Sequence, residues 1–512
     1  MTRRTFLLPA WLLLALAAAV PAGANRLLDS FEERVTEFTL DNGLHFIVIE
    51  RHQAPVVSFH THVNAGSVDE DVGATGLAHM FEHMAFKGTT TIGTTDIEAE
   101  REAMDRVDAI FAELKRERAR GRNADEERIA ELEADFEAAI EEAKEYVVEG
   151  EFEEILEREG AQGLNAFTAA DMTGYLYSLP ANKLELFFAM ESDRFLNPVQ
   201  REFYVERDVV MEERRQRVGS NPVGRLVEEA LALSFIAHPY GQPTIGHMSD
   251  LRNLSRPQAR DFFERYYRAS NLTIAVAGDV DPEEVRRLAG EYFSALPAGK
   301  PPLPVTTEEP PQRGERRVEI VERTRPWVVM TFHRPSALHD DEAAYRVLGD
   351  ILSTGRTSRF HQQLVETELA LQAQALPTFP GQRYPTLFGV LGIPSQGVSP
   401  EDLEAEMLAV LDDVRSEPIS QDALDRAKIR ARAQLVSQLD SNSGLARQLA
   451  VTHGIAGDWR EVFRSLDRIR EVTAEDVQRV ARETFRADNR NVAIIRHAEA
   501  DDNGDNDTEE DE

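Results

Sequence analysis

A pattern in the middle of the chain returns near its end and constrains the fold more than any other feature. Ser255 begins a predicted helix that ends in Tyr267-Arg-Ala-Ser-Asn271 and is followed by an apolar strand. Thr473 begins a second helix that ends in Phe485-Arg-Ala-Asp-Asn489, again before an apolar strand. Serine and threonine are preferred helix N-caps, and both caps and both turns share one offset of 218 residues. This repetition predicts two related halves.

Each half is predicted to be an α+β unit, an α/β roll in which helices pack on a largely antiparallel sheet. Asp41-Asn-Gly43 lies between alternating apolar segments within 35–63, which is the signal of a β-hairpin. Segment 297–314 is rich in Pro and Glu without periodicity, so we interpret it as a linker. The first half, which carries the chemistry described below, is then expected at 31–296 and the second, non-catalytic half at 315–498.

A charged helical insertion is predicted within the first half at about 97–159. The segment is dense in Ala, Glu, Arg, Leu and Lys, and Gly121-Arg-Asn-Ala124 interrupts its helical periodicity. This pattern is typical of a helical hairpin. Because the segment offers no convergent chemical groups, we interpret it as a structural insertion or a partner-docking arm.

The amino terminus has the order of a secretory signal peptide. Arg3 and Arg4 precede the apolar run 6–20, and small residues follow up to Ala24, so we expect residues 1–24 to be removed and the protein to be exported, either periplasmic or secreted. A retained membrane anchor is the alternative, but it needs about 20 apolar residues. We therefore expect no stable membrane insertion after cleavage. Residues 499–512 are mostly acidic and are predicted to be a disordered, solvating tail.

Composition excludes several classes of site and partner. The chain contains no cysteine, so a thiolate metal site and a disulfide framework are excluded, and any metal must be bound by His, Asp or Glu. The formal net charge is −34. A charge this negative argues against nucleic acid or an anionic membrane as a partner.

A metal-binding face is predicted on the helix at 76–87. With 3.6 residues per turn, His79 and His83 lie about 40° apart, and Glu82 lies about 60° to the other side of His79. Neutral imidazoles bind zinc, and a nearby carboxylate can take the proton from a zinc-bound water whose pKa the metal has lowered. The order His-x-x-Glu-His is the inverse of the commoner zinc-peptidase motif, and taken alone it is only suggestive.

A third protein ligand is expected on the amphipathic helix predicted at 204–215. Glu206 and Glu213 are seven residues apart and share a face, so one can bind the metal while the other supports the site. Glu212 is the alternative, although it lies about 100° around the helix from Glu213. The same helix is also compatible with a solvated face held by internal ion pairs, and spacing alone does not choose between these interpretations.

Several motifs, occurring in a fixed order, carry a resemblance to a known family. They are Gly76-Leu-Ala-His-Met-Phe-Glu-His-Met-Ala-Phe-Lys-Gly-Thr89, Leu164-Asn-Ala-Phe-Thr168 with Tyr175, Glu206-Arg-Asp-Val-Val-Met-Glu-Glu213, His238-Pro-Tyr-Gly241 and Gly278-Asp-Val-Asp-Pro282. With them the chain resembles the insulinase/pitrilysin, or inverzincin, zinc peptidases. The resemblance is greatest to the short bacterial members that are similar to the mitochondrial processing peptidase, and it covers most of the mature chain.

The resemblance implies a metal site with assigned roles. One Zn2+ per chain would be bound by His79, His83 and Glu213, and Glu212 would not be a ligand. Glu82 would be the general base and Glu206 would support the site from behind. The resemblance also implies that the two halves face each other as a clamshell around a chamber.

The resemblance further implies a substrate-binding strand beside the metal. Its residues are Asn165, Ala166, Phe167, Thr168 and, on the neighbouring strand, Tyr175. A peptide can add to the edge of a sheet as a further strand held by main-chain hydrogen bonds. From the residues alone, Asn165 and Phe167 can equally be loop and core residues.

One departure from the family pattern concerns the second half. Family members often carry an Arg and a Tyr seven residues apart that help to bind substrate across the chamber, whereas this chain has Val365 and Gln372 at those places. Either the protein holds its substrate differently, or a second subunit supplies those groups. We expect a homodimer, or a heterodimer with a non-catalytic homologous subunit.

The sequence therefore predicts an exported zinc metalloendopeptidase that hydrolyses peptides or unfolded polypeptide segments. One alternative is a non-catalytic structural or assembly subunit of the same fold, although such subunits typically lose the metal residues that are all present here. Another is a zinc-dependent hydrolase of non-peptide substrates, which the metal motif alone permits. Only the predicted peptide-binding strand argues against that last alternative.

Overall fold

The computed structural model of the chain describes residue 28 and residues 31–498. The predicted signal peptide at 1–24 and the acidic tail at 499–512 lie outside the described residues. Within the described part, no helix combines the length and the apolar character needed to span a bilayer.

Two mixed β-sheets organise the described chain. The strands of the first sheet are β1 (Val35–Thr39), β2 (His45–Glu50), β3 (Val56–Val63), β4 (Gln162–Thr168), β5 (Thr173–Pro180) and β6 (Leu272–Gly278). The strands of the second sheet are β7 (Arg316–Glu322), β8 (Trp327–Arg334), β9 (Ala370–Phe379), β10 (Thr386–Pro394) and β11 (Arg490–His497). β1 and β2 flank the Asn-Gly turn and pair antiparallel, which confirms the predicted hairpin.

The second sheet repeats the topology of five strands of the first, and within the described residues β1 has no counterpart. The first has the order β1-β2-β6-β3-β5-β4, and the second has the order β7-β11-β8-β10-β9. In each sheet one pair is parallel, β2 with β6 and β7 with β11, and the remaining pairs are antiparallel. The predicted α+β fold with two related halves is therefore confirmed. The residue boundaries proposed for the halves and the linker remain predictions.

Helices cover the sheets and fill the connections between strands. Before β7 they are α1 (Leu77–Met84), α2 (Ile97–Arg118), α3 (Glu126–Lys144), α4 (Glu151–Arg158), α5 (Leu184–Leu196), α6 (Phe203–Arg214), α7 (Pro222–Ser234), α8 (Met248–Asn253), α9 (Arg256–Tyr266) and α10 (Pro282–Phe293). After β8 they are α11 (Glu342–Ser353), α12 (Pro400–Ser416), α13 (Gln421–Gln438), α14 (Asn442–Ala456), α15 (Glu461–Glu471) and α16 (Ala474–Thr484). The charged insertion thus contains the hairpin α2–α3, followed by the short helix α4.

The repeated cap residues and asparagines make equivalent hydrogen bonds in both halves. Ser255 and Thr473 each form a capping box at the start of their helix, which stabilises a helix end because it satisfies backbone N–H groups there. The side-chain amide of Asn271 donates to Tyr266 O, at the end of α9, and to Asn64 O, just after β3. Asn489 donates in the same way to the end of α16 and to β8. The repeated residues therefore tie each helix to its sheet.

The two halves exchange a helix. α7, which precedes the second sheet in the chain, packs on β7, β8 and β11, where Leu226 and Ala230 join a cluster with Ile495. α14 in turn packs on β3 and β6 of the first sheet, where Leu449 joins a cluster with Ile47. Because each sheet is covered by a helix from the other half, the halves share buried apolar surface.

Candidate metal centre

The helix that carries the metal motif, α1, begins at a tightly packed glycine. Gly76 has a φ of 95°, a left-handed conformation that favours glycine, and a Cβ there would overlap Leu251. The carboxylate of Glu70 accepts hydrogen bonds from Gly76 N at 2.9 Å and from Ala78 N at 2.7 Å. These bonds satisfy backbone donors at the helix start. Burial, the largest effect, raises the pKa of Glu70 to about 8.

Three ligand atoms converge between α1 and α6. Oε2 of Glu213 lies 3.5 Å from Nε2 of His79 and 3.2 Å from Nε2 of His83. One ligand atom from each of these residues lies within 4.8 Å of the others. His79 is buried, whereas His83 and Glu213 are half-buried, so the cluster opens on one side.

The geometry and chemistry of this cluster fit a zinc ion. Zinc–ligand bonds of about 2.1 Å in a tetrahedral site place ligand atoms about 3.4 Å apart, close to the two distances from Glu213 to the histidines. Two imidazoles and one carboxylate form a known ligand set for catalytic zinc, with a further coordination position left open. His79, His83 and Glu213 are therefore the residues that would bind it.

Glu212, the rival ligand, points elsewhere. Its side chain is exposed and forms an ion pair with Arg215, with Oε2 2.7 Å from Nη1. A rotation of about 100° per residue around a helix separates it from Glu213. The structure therefore brings Glu213, and not Glu212, to the histidines.

Glu82 lies beside the cluster and is half-buried. Its Oε2 is 4.0 Å from Nε2 of His79. Burial, the largest effect, raises the pKa of the Glu82 carboxyl above its ordinary value, although hydrogen bonding from Thr168 and the nearby His83 lower it. A carboxylate with a raised pKa is better suited to accept a proton and then return it than an exposed one.

Glu206 supports His83 from behind. Its Oε2 lies 3.4 Å from Nδ1 of His83, and its Oε1 lies 2.6 Å from Nζ of Lys87. Lys87 also contacts Glu202, at 3.0 Å. If Nε2 of His83 binds a metal, Nδ1 carries the proton and donates a hydrogen bond to Glu206. Such a bond orients a metal-binding imidazole.

The two histidines differ in basicity. Burial lowers the pKa of His79 to about 4. Burial also acts to lower the pKa of His83, but the carboxylates of Glu206 and Glu213 outweigh it, so this pKa is raised above its ordinary value. Protons therefore compete with a metal mainly at His83.

Residues 165–168 lie on β4, at the free edge of the first sheet. Thr168 Oγ1 donates to Ala78 O of the metal helix at 3.4 Å, and Ala166 is buried on that face. Phe167 turns to the opposite face, where its ring lies against Gly174 and beneath the guanidinium of Arg447, 4.8 Å from the ring centre. Asn165 is exposed. An open edge of the sheet therefore runs past the metal cluster.

Tyr175 does not reach this open edge. It pairs with Ala166 on the helix-covered face and is buried. Its hydroxyl lies 2.8 Å from that of Tyr267 and donates to Phe81 O at 3.4 Å. Because directly opposed residues in an antiparallel pair share a face, Tyr175 packs under α1 and supports the metal helix instead of facing a bound peptide.

The positions of the missing Arg and Tyr lie near the free edge of the second sheet. Val365 ends a π-helical turn, His361–Val365, and Gln372 is exposed on β9. β9 is the second sheet's counterpart of β4. Neither side chain carries a charge, so no cation comes from these two positions.

Sequence reasoning missed three residues that contact the site or its helix: Glu70, Lys87 and Arg217. Arg217 Nη2 lies 2.7 Å from Glu213 Oε1. Lys87 lies four residues after His83, a spacing that puts side chains on one helix face, so the sequence contained a signal for it. Arg217 lies four residues after Glu213 and had the same signal. Nothing local pointed to Glu70.

Two family models match the chain. The model described as Insulinase (Peptidase family M16) matches residues 46–112 and 138–247, and the one described as Peptidase M16 inactive domain matches residues 253–430. The first match includes His79, Glu82, His83 and Glu213. Its gap falls within the α2–α3 hairpin, as expected for an insertion.

Curated proteins and solved structures are similar over nearly the whole chain. The zinc protease PqqE of Helicobacter pylori is 27% identical over 481 residues, which cover 91% of this chain and 94% of that protein. The mitochondrial-processing peptidase subunit beta of Saccharomyces cerevisiae is 22% identical, with 85% and 84% covered. The crystal structure of a protease from Helicobacter pylori superposes with a TM-score of 0.75 at 25% identity, covering 90% of this chain and 99% of that one. The periplasmic protease PqqL from Escherichia coli shares the fold, with a TM-score of 0.66 at 18% identity, covering 94% of this chain and 48% of that chain.

Proposed function

The chain belongs to the insulinase family of peptidases, family M16, and is a zinc protease; we propose that it is a metalloendopeptidase that cleaves extended peptides or unfolded polypeptide segments. One Zn2+ per chain would be bound by His79, His83 and Glu213. The observation that carries this proposal is the convergence of the Glu213 carboxylate on both imidazoles, with Glu82 beside them.

Glu82 is the general base of the proposed reaction. Zinc, when bound, supplies a Lewis acid that polarises a carbonyl and lowers the pKa of water. Glu82 accepts a proton from the attacking water and passes it to the nitrogen of the leaving amine. Its raised pKa helps the second transfer, because the protonated carboxyl is a usable acid nearer neutral pH.

The substrate is proposed to bind as an added strand on β4. The free edge of the sheet offers main-chain donors and acceptors along residues 165–168, and these give affinity for any extended peptide with little dependence on its side chains. Thr168 is next to the metal helix, which supports placing the scissile bond at that end of the strand. Because a strand can extend past the site in both directions, internal cleavage is expected.

Export is proposed from the amino-terminal sequence. Arg3 and Arg4, the apolar run and the small residues ending at Ala24 have the order of a cleaved leader. The similar Escherichia coli protein PqqL is described as periplasmic, which supports a periplasmic or secreted location for this chain.

A dimer is proposed because this chain lacks two groups expected in its second half. Val365 and Gln372 cannot supply the cation and the phenol that family members place there. The similar yeast protein is a subunit of a processing peptidase by its name, which supports assembly with a second copy or a homologous partner. A purely structural role is not favoured, because the metal cluster and Glu82 are intact.

The test combines metal analysis with a digest of a mixed peptide library by the mature protein. Parent, Glu82→Gln and the control Glu212→Gln would be compared, since Glu212 is an exposed glutamate next to Glu213. We expect zinc in all three and internal cleavage only by the parent and the control. Full activity of Glu82→Gln would remove the base assignment, and a parent that binds no zinc would remove the metal site.

A further inference from the structure

The two oxygens of Glu213 have separate partners. Oε2 faces the histidines, whereas Oε1 lies 2.7 Å from Nη2 of Arg217. The ion pair orients the carboxylate so that Oε2 is the oxygen presented to the histidines. Arg217 therefore restricts how Glu213 can bind, in the way that outer partners orient metal ligands.

Arg217 lies in a local irregularity of the backbone. α6 ends at Arg214 and continues as a π-helical turn, Arg215–Gly219, closed by Ser220 N donating to Arg215 O at 2.6 Å. Single π turns inside helical segments are often found at functional sites. Here the turn contains Arg217, whose guanidinium reaches the Glu213 carboxylate four residues earlier.

The π turn is packed against α7. A Cβ on Gly224 would overlap the carbonyl oxygen of Arg217, so the contact requires glycine on α7. Arg225 Nη1 donates to Val218 O at 2.9 Å and also to Gly219 O. These bonds satisfy carbonyl groups that the end of a helix leaves free, and they fix the turn to α7.

The contacts that fix the π turn extend to the second half of the chain. Nε of Arg225 donates to Oε1 of Glu322 at 2.7 Å, and Glu322 is the last residue of β7. α7 itself covers the second sheet. A continuous set of polar contacts therefore links Glu322 to Arg225, to the π turn and to Glu213.

We propose that Arg217 is a positioning residue that makes Glu213 bind the metal through one oxygen, and that the second half sets its position through Glu322 and Arg225. The proposal rests on the metal site described above. Loss of a cation near Zn2+ would by itself favour binding, but Arg217 is 67% exposed, so water screens that effect. Orientation of the carboxylate is then the larger effect.

The test measures zinc affinity of the mature protein by competition with a chromogenic chelator. We expect Arg217→Ala to weaken zinc binding about tenfold, as loss of an outer partner of a ligand does, with the thermal stability of the metal-free protein unchanged. Arg217→Lys keeps the charge and should recover part of the affinity. Arg215→Ala is the matched control, because Arg215 lies on the same turn and pairs with Glu212.

The link to the second half has its own pair of variants. Glu322→Gln should weaken zinc binding about threefold, within the range of couplings carried through packed contacts. Glu319→Gln is its control, because Glu319 lies on the same strand and pairs with Arg496. X-ray absorption of the zinc should show one carboxylate oxygen in the parent and a second, longer zinc–oxygen contact in Arg217→Ala.

The outcomes separate this proposal from the proposed function. Parental zinc affinity in Arg217→Ala would overturn the positioning role, and parental affinity in Glu322→Gln would overturn the link to the second half. Tighter zinc binding in Arg217→Ala than in the parent would show that repulsion between the cation and the metal is the larger effect and would overturn orientation as the role of Arg217. Failure of the parent to cleave peptides while the affinities change as expected would remove the proposed peptidase and keep the role of Arg217.

Discussion

Lys87 and Glu206 form a half-buried ion pair, 2.6 Å from Nζ to Oε1, on the side of His83 away from the other metal ligands. The second oxygen of Glu206 faces Nδ1 of His83. The lysine therefore holds the carboxylate that orients the imidazole. We expect the pair to contribute to zinc affinity through this orientation, and not only to stability as an ion pair.

Replacing either member of this pair should weaken zinc binding. We expect Lys87→Met and Glu206→Gln each to lower zinc affinity about tenfold, the effect of losing an outer partner of a ligand. The measurement is a chelator competition at pH 7.5, with Lys144→Met as control because Lys144 forms an exposed pair with Glu141. Equal affinities in Lys87→Met and the parent would contradict the supporting role of the lysine.

Zinc affinity should depend on pH through His83. Its pKa is raised above the ordinary 6.5, so at lower pH the metal must displace a proton, and affinity falls up to about tenfold per pH unit below that pKa. His79, with a pKa of about 4, is already neutral over this range. Glu206→Gln removes a carboxylate that raises the pKa of His83, so the fall should begin at lower pH.

A competition titration from pH 5 to 8 measures this shift. The control is Glu212→Gln, whose carboxylate does not contact either histidine. If the fall in affinity began at the same pH in Glu206→Gln and the parent, the assignment of the titrating group to His83 would be wrong.

Local signals explain what the sequence predicted. The caps at Ser255 and Thr473, the Asn-Gly turn and the spacing of His79 and His83 depend on interactions within a few residues, which sequence shows directly. The duplication was visible in the sequence because both halves kept the asparagine of the turn. Asn271 and Asn489 bond to equivalent positions, the end of the preceding helix and a strand of the sheet.

What the sequence did not predict depends on distant packing. The exchange of α7 and α14 between the halves joins residues that no periodicity connects. The position of Tyr175 follows from its register with Ala166, and register is set by pairing rather than by composition. Glu70 caps α1 from a preceding turn, so its role becomes visible only when Gly76 is folded against it.

Glu70 should make the stability of the metal-free protein depend on pH. The pKa of Glu70 rises from an ordinary 4.5 to about 8 in the fold. The stability that depends on its protonation is therefore fully present below pH 4.5, decreases as the pH rises from 4.5, and is lost once the pH has passed through 8. Between pH 5 and 8 the parent should lose on the order of 2 kcal/mol or more through this group.

Glu70→Gln tests this linkage, because glutamine cannot ionise. The variant starts less stable at pH 5, since one of the two backbone bonds at the helix start is lost, at a cost of about 1–3 kcal/mol. Its stability should then fall less between pH 5 and 8 than that of the parent, as measured by thermal melting of the metal-free proteins. Parallel curves for the two proteins would show that Glu70 is already ionised in the fold.

Strand addition on β4 predicts a period of two in substrate recognition. In a paired strand, alternate amide groups point toward the partner and the others point away. N-methylation of a cleaved peptide, one amide at a time, should therefore lower kcat/KM about five- to tenfold at every second position, since each lost hydrogen bond contributes about 1 kcal/mol. Replacing side chains at the same positions should have smaller effects, and zinc content serves as the control for an intact site. Equal sensitivity at all amides would exclude an extended strand on residues 165–168, because a peptide bound mainly through its side chains has no reason to alternate.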